Sequence, residues 1–343
     1  MPSGLTGRIS PEFKQKEEHH TWESFQKFID AKKGMDLPGI SQLKQYFHRF
    51  GYLPTANISK PDFNDHFDQG FESAITLYQS KFGLNVTGKL DSDTVAQLMA
   101  PRCGVSDGTV TVRPESAVTV HAIKHFAFFS GEPSWTRTRP MKLTYALSPD
   151  DTINYINQAN LKEVFRRSFS RWAAVIPVSF TESSDYMFAD IRIGFYSGSH
   201  GDGEPFDGVL GVLAHAFSPE SGRLHLDKAE TWSVDFKKDK SSIAIDLESV
   251  VTHEIGHVLG LAHSRVKDSV MYPSISPRIK KVDLREDDVR GVQALYGSNP
   301  NFRFSSLIQS EISSSSPVSI RLPEKMTAIV VALAALILIS YRL

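Results

Sequence analysis

His253-Glu254-Ile255-Gly256-His257-Val258-Leu259-Gly260-Leu261-Ala262-His263 closes an apolar stretch of helical period that begins near Leu247. The period predicts a helix from Leu247 to Gly260, in which residues 253 and 257 lie one turn apart on one face, so their imidazoles can bind a single ion. Glu254 projects beside them. Gly260 lets the chain turn, and His263 follows at the spacing that supplies a third nitrogen. Three protein ligands leave the fourth position of a tetrahedral zinc for water, the donor set of a catalytic site and not of a structural one. Zinc there acidifies its water and polarises a carbonyl as a Lewis acid. Glu254, which cannot be a fourth ligand at the same time, is then the general base that moves the proton of the water to a leaving amine. Any histidine-rich helix can produce HExxH; the three-histidine form with its glycine is far more specific. Two other classes compete: a surface-anchored scaffold that keeps a metal-stabilised fold without turnover, and a cytosolic metallopeptidase. Loss of Glu254 or of a histidine would favour the first, and an apolar carboxyl-terminal stretch argues against the second.

Upstream of this helix, Met141 to Leu147 alternates as a strand, Asn160 to Val175 has the period of an amphipathic helix, and Val178–Phe180 and Ile191–Phe195 read as further strands. The stretch Ser197 to Glu230 is rich in glycine, aspartate and histidine, and is long for a loop unless something ties it down. Downstream, a helix is predicted from about Arg285 to Gly297. Between Gly104 and Arg139 the pattern loosens into a linker. Before the linker, Trp22, Phe25, Phe28 and Ile29, then Ile40, Leu43, Tyr46 and Phe47, then Phe71, Ala74, Ile75 and Tyr78 recur at helical spacing, which predicts a small helical bundle with these side chains as core. Gly83 to Gly88 reads as a turn, and Asp91 to Met99 as a last short helix capped by Asp91 or Ser92.

The 343 residues, 41% of them hydrophobic, are enough for two domains and tails. Lysine and arginine number 38 against 39 aspartates and glutamates, a net charge of -1, so no global basic field draws the chain to nucleic acid. The single cysteine, Cys103, excludes an intrachain disulfide and leaves burial and metals to stabilise the fold.

His263-Ser264, the turn Ser269-Val270-Met271-Tyr272-Pro273 and the run Leu284-Arg285-Glu286-Asp287-Asp288-Val289-Arg290-Gly291-Val292-Gln293-Ala294-Leu295-Tyr296-Gly297 together resemble the catalytic domain of the matrix metalloproteinases. The resemblance implies an α+β fold: a metzincin catalytic domain, with a twisted, mostly parallel sheet and three helices, preceded by a small helical propeptide domain. It divides the chain into residues 1–20 (disordered), 21–107 (propeptide domain), 108–139 (activation linker), 140–298 (catalytic domain), 299–325 (serine-rich stalk) and 326–343 (hydrophobic tail). Met271 would underlie the catalytic zinc by packing. The residues after His263, to about Lys281, would line a pocket with a hydrophobic preference for the side chain that follows the scissile bond.

The segments His200 to Gly208, Leu213 to Phe217 and Leu224 to Asp227 also resemble this family, although the span from His215 to His225 is shorter than in its vertebrate members. They imply a structural zinc on His200, Asp202, His215 and His225, a complete tetrahedral set with no open position. They imply calcium on the hard oxygens of Asp207, Asp227 and Glu230, with carbonyls at Gly208 and Leu210. Pro101-Arg102-Cys103-Gly104-Val105-Ser106-Asp107 is similar to the cysteine switch of the family. Its thiolate would fill the fourth zinc position and hold the enzyme latent, with Arg102 and Asp107 paired to hold the loop. An activating protease cutting between Val110 and Ser130 would release Cys103, and the new amino terminus would pair with Asp287 or Asp288. The implied substrates are proteins or peptides, and the implied state is a monomer.

Met1 to His20 is polar, without the apolar run of a secretory signal. Small residues at Ser313–Ser316, a polar spacer from Pro317 to Lys325 and the apolar Met326–Ser340 match the signal for a glycosylphosphatidylinositol anchor. A single-pass helix is the alternative, although the run falls short of the roughly 17–25 residues that spanning requires. Both readings place the protein on the extracellular face of the plasma membrane by way of the secretory pathway, and so imply a truncated or replaced amino terminus. Asn57-Ile58-Ser59 and Asn85-Val86-Thr87 are candidate glycosylation acceptors. About 46 residues follow Gly297, so no carboxyl-terminal haemopexin propeller is expected, an arrangement that resembles the plant members of the family.

Overall fold

The structure, a computed structural model, describes residues 22–54, 63–108, 110, 111 and 126–305. The segment to residue 20, the Asn57 triplet, part of the activation linker, most of the stalk and the apolar tail lie outside the described residues. Every element named below lies in one compact unit, which ends at Phe302.

After a 3-10 turn at Glu23–Phe28, the bundle is built from α1 (Ile40–Arg49), α2 (Gln69–Phe82) and α3 (Ser92–Met99). The predicted core positions are buried, with Phe47, Phe71 and Tyr78 fully so; Ile29 is the exception, 41% exposed. The turn ends at Phe28 and Ile29 is already extended, so the helical period does not reach it. Asp91, not Ser92, caps α3: its carboxylate accepts from the Thr94 amide at 2.9 Å. The 83–88 turn is pinned by buried Gln79, whose side chain donates to Thr94 Oγ1 and Lys89 O and accepts from the amides of Thr87 and Gly88.

The bundle is followed by β1 (Arg102–Cys103), β2 (Val110–Thr111) and β3 (Phe128–Phe129). The catalytic body then runs β4 (Met141–Leu147), α4 (Gln158–Val175), β5 (Val178–Glu182), β6 (Ile191–Tyr196), β7 (Val212–Ala216), β8 (Arg223–Asp227), β9 (Trp232–Ser233), β10 (Ile245–Asp246), α5 (Leu247–Val258) and α6 (Glu286–Tyr296). Six strands form one sheet in the order β1-β7-β8-β6-β4-β5, parallel throughout except for the β7–β8 pair. This is the expected α+β arrangement, mostly parallel with three helices. Two differences from the expected elements stand out. The stretch 197–230 is not one loop but contains β7 and β8. The linker also ends earlier than Arg139, because Phe126, Phe128 and Trp135 are buried, and the Trp135 indole donates to Val258 O at 2.9 Å.

Leu161, Val164, Phe165, Ser168, Phe169, Trp172 and Val175 form the buried face of α4, at the i, i+3, i+4 spacing its sequence predicts. That face covers α5, every residue of which is buried. Asp246 caps α5 through the Ser249 amide. Glu248 in its first turn is held by Arg167 at 2.8 Å, Arg171 at 3.0 Å and Lys280 at 2.8 Å. Burial alone would raise the Glu248 pKa; the bonds from Arg167 and Lys280 overcome this and hold it at about 2. The folded value lies below the ordinary 4.5, so the contribution to stability is complete above that pH and is lost as pH falls toward 2. Glu248→Gln is therefore expected to destabilise the chain by roughly 2–3 kcal/mol at pH 7. Paired thermal melts at pH 7, 4 and 2.5 should show the gap between variant and parent closing as the solution is acidified.

Candidate active site

Because α5 places His253 and His257 on one face and Gly260, at a φ of 103°, turns the chain back, His263 reaches the same point in space. The three Nε2 atoms converge, with that of His257 3.1 Å from His253 and 3.2 Å from His263. Each opposite ring nitrogen faces an acceptor: Val270 O at 2.7 Å for His253, Leu261 O at 2.8 Å for His257, and Asp107 Oδ1 at 2.6 Å for His263. Nδ1 must therefore carry the hydrogen in all three rings, which turns three bare Nε2 lone pairs toward one another. Burial pushes the pKa of His253 and of His257 well below the ordinary value, as does the charge each would feel from a neighbouring imidazolium. Neutral imidazoles with converging lone pairs repel unless a cation lies between them, so this donor set fits zinc.

Cys103 completes the group: its Sγ lies 3.4 Å from His257 Nε2, and these four residues offer atoms that converge as a metal site does. Burial, and then the Glu254 carboxylate, push the thiol pKa well up, so a thiolate here also calls for a cation. Glu254 is fully buried and neither of its oxygens has a hydrogen-bond partner among the described residues. Burial raises its pKa to about 8, against a small lowering by the neighbouring Cys103 thiol. A buried carboxyl with a raised pKa beside a zinc site has the position and proton affinity of a general base.

The cysteine is held by its neighbours in sequence. The Arg102 guanidinium, fully buried and 3.7 Å above the Phe50 ring centroid, donates to Asp107 Oδ2 at 2.8 Å and to Cys103 O at 3.1 Å. Tyr52 donates to the same Asp107 oxygen at 2.7 Å. Burial would raise the Asp107 pKa, but the charge of Arg102 and the bond from His263 hold it far below the carboxylate range. Asp107 thus joins the bundle, the cysteine loop and His263, a predicted metal ligand. Sequence reading paired it with Arg102 and missed the bond to His263, 156 residues away, for which the sequence carries no signal.

The second predicted cluster also assembles. His200 Nε2, His215 Nε2 and His225 Nδ1 each lie 2.8 Å from Asp202 Oδ2, and His225 Nδ1 is 3.2 Å from His200 and 3.3 Å from His215. Three nitrogens and one carboxylate oxygen meeting at one point fit a closed tetrahedral zinc. The predicted calcium residues differ. Asp207, Asp227 and Glu230 do not form a third convergent cluster among the described residues. Gly208 and Leu210 turn their amides to the acids: Gly208 N donates to Asp227 at 3.2 Å and Leu210 N to Glu230 at 2.8 Å. The acids are nonetheless crowded. Burial and then Asp227 raise Glu230 to about 9, burial raises Asp227 to about 6, and Glu230 Oε2 is buried without a partner among the described residues.

Met271 lies where packing under the site requires it: a Cβ on Gly256, in the middle of α5, would stand 2.2 Å from its sulfur. The turn carrying it is fixed to α6 by buried Asp288, which accepts from Ser269 Oγ and from the amides of Val270, Met271 and Arg285. Asp287 instead accepts from Ser264 Oγ at 2.6 Å.

Comparison with known proteins agrees with this geometry. A family model described as Matrixin matches residues 134–297, and one described as "Putative peptidoglycan binding domain" matches residues 36–98, within the helical bundle. The chain is 56% identical to Metalloendoproteinase 4-MMP of Arabidopsis thaliana over 80% of this chain and 77% of the relative. It is 53% identical to Metalloendoproteinase 1-MMP of the same plant, over 85% and 78%. Neutrophil collagenase of Homo sapiens is 37% identical over 65% of this chain and 43% of that protein. With two histidines on α5 and a third just beyond it, a buried glutamate and relatives this similar, the chain belongs to the matrixin family, the matrix metalloproteinases, and is a zinc-dependent metalloendopeptidase.

Proposed function

We propose that this chain is the latent precursor of its peptidase, silenced by Cys103 and activated by removal of the bundle. The observation that carries the reading is the lie of residues 101–104. They run extended between β7 and the 273–275 segment, with Arg102 N donating to Gly211 O at 3.0 Å, Gly104 N to Ala214 O at 2.7 Å, Cys103 N to Pro273 O at 2.9 Å and Ile275 N to Pro101 O at 3.1 Å. A strand held by main-chain bonds at a sheet edge is how an extended peptide is recognised, so the precursor blocks the site with a peptide of its own.

In the activated form a substrate strand takes that slot. His253, His257 and His263 would hold a zinc, which would supply Lewis acidity to the scissile carbonyl and to the attacking water. Glu254 accepts the proton of that water and delivers it to the leaving amine. The side chain after the scissile bond enters a cavity of about 20 Å³ in the closed form, lined by Leu213, Val250, His253, Tyr272 and Ile275 among others, which favours apolar residues. His200, Asp202, His215 and His225 hold a structural zinc. Calcium near Asp207, Asp227 and Glu230 would relieve the repulsion between the buried Asp227 and Glu230 and the neighbouring Asp207. Asp288 is committed to the methionine turn, so Asp287 is the acid we assign to the amino terminus created by cleavage.

Extracellular proteins are the proposed substrates and the outer face of the plasma membrane the proposed location. That reading rests on the sequence of Met326–Ser340, outside the described residues; among the described residues no helix is long and apolar enough to cross a membrane.

The test compares cleavage of a quenched peptide, apolar after the scissile bond, by the full chain and by a form beginning at Phe126. A silent full chain and an active, chelator-sensitive short form are expected. Equal activity of the two would remove the latency reading, and a folded, zinc-loaded short form that cleaves nothing across a broad peptide library would remove the catalytic one.

A further inference from the structure

We propose that the helical bundle also clamps the loop carrying the second metal cluster, so that bundle docking and metal occupancy of His200, Asp202, His215 and His225 stabilise each other. The inference rests on the reading of the chain as a precursor and of this cluster as a zinc site.

The loop joining β6 to β7 holds His200 and Asp202 and has little structure of its own. Gly198, Gly201, Gly203 and Gly208 all take positive φ, and nothing packs within 4 Å of where a Cβ would stand on the first three. Ordering such a chain costs conformational entropy that its own contacts do not offset. The loop's apolar anchor is Phe206, 6% exposed. On one side its ring stacks on two metal ligands, 4.9 Å and 14° from His200 and 4.8 Å and 26° from His215. On the other it belongs to the same buried cluster as Trp22, Phe25, Tyr46 and Phe50 of the bundle.

Polar contacts follow the same line. Arg49 at the end of α1 donates from Nη2 to Pro205 O at 3.1 Å and brings Nε to 3.9 Å from Glu204 Oε2. The Trp22 side chain donates to the Asp207 carboxylate. Four consecutive loop residues, 204–207, are therefore gripped by the precursor segment, immediately beyond the ligands His200 and Asp202. Whatever fixes this loop from one side lowers the entropy that the other must remove, which is positive coupling between two sites and is reciprocal.

Cleavage should then loosen the second zinc, and loss of that zinc should loosen the bundle. The experiment follows zinc release to an excess of a chromogenic chelator from the full chain and from the form beginning at Phe126, each carrying two zincs. Asp202→Asn identifies the kinetic phase that belongs to this cluster. That phase is expected to be on the order of tenfold faster in the cleaved form. Arg49→Glu in the full chain should speed it several-fold toward the cleaved value, and Arg49→Glu with Glu204→Arg should slow it again by restoring opposite charges. Residue 49 is absent after cleavage, so the cleaved product of Arg49→Glu must match the parent, which verifies that the variant folded. Equal rates in full and cleaved chains, or a full-chain rate indifferent to Arg49→Glu, would overturn the proposal while leaving both zinc assignments intact. A full chain that binds one zinc only would overturn the second-site assignment and the proposal together.

Discussion

In the form beginning at Phe126, Glu254→Gln is expected to lower kcat/KM on a quenched peptide by roughly 10²–10⁴-fold, the range for removal of a general acid-base group, with zinc content unchanged. Glutamine matches glutamate in shape, so α5 and its three imidazoles keep their places. What the amide lacks is basicity. In the closed chain the carboxylate is fully buried and neither oxygen has a hydrogen-bond partner among the described residues, so neither is committed to another protein group when water and substrate enter. Because it does not bind the ground-state peptide, the loss should fall on kcat with KM nearly constant. Activity within a few-fold of the parent, at equal zinc, would mean that another group moves the proton.

The zinc motif is legible because its geometry is local. Residues 253, 257 and 263 lie within eleven positions, and the helical period with one glycine is enough to bring their nitrogens together. The buried face of α4 is legible for the same reason. The strand β7 was hidden: all of Val212–Ala216 is buried, so no apolar alternation marks it, and His215, a predicted metal ligand, sits among its residues. In β8 the alternation Arg223-Leu224-His225-Leu226-Asp227 is unbroken but short, and its polar positions His225 and Asp227 are buried instead of facing solvent, so it does not read as a half-exposed strand. Long-range partners left no trace at all. Nothing near His263 predicts that its Nδ1 bonds Asp107, and nothing near Arg49 predicts that it grips Pro205; each pair is set by how bundle and catalytic body dock, which depends on surface fit and not on periodicity.

That docking makes Asp107→Asn the most informative variant of the full chain, in which it is expected to open the cysteine switch without cleavage. Asp107 uses both carboxylate oxygens, for Arg102, Tyr52 and His263. An amide has one acceptor oxygen and one donor NH₂, so at least one of these three donors must face a donor. The buried guanidinium of Arg102 also loses its counter-charge, and removal of one partner from a buried pair costs about 3–5 kcal/mol. Of the three bonds, the one from His263 reaches the catalytic body and is made only when the Cys103 loop is seated, so its loss, and the exposure of a misfitted Arg102 to that site, falls on the closed state. Taking the lower figure, about 3 kcal/mol, with about 1.4 kcal/mol for each tenfold change, the open population should rise by roughly a hundredfold. The rate at which Cys103 reacts with an excess of a small thiol reagent should rise by the same factor, and peptide cleavage by the uncleaved chain should appear with it. Residue 107 leaves with the bundle, so the cleaved enzyme must be identical to that from the parent, which separates an effect on latency from one on catalysis. Thiol reactivity equal to that of the parent would show that zinc ligation alone keeps the switch closed and that the Asp107 network adds nothing to it.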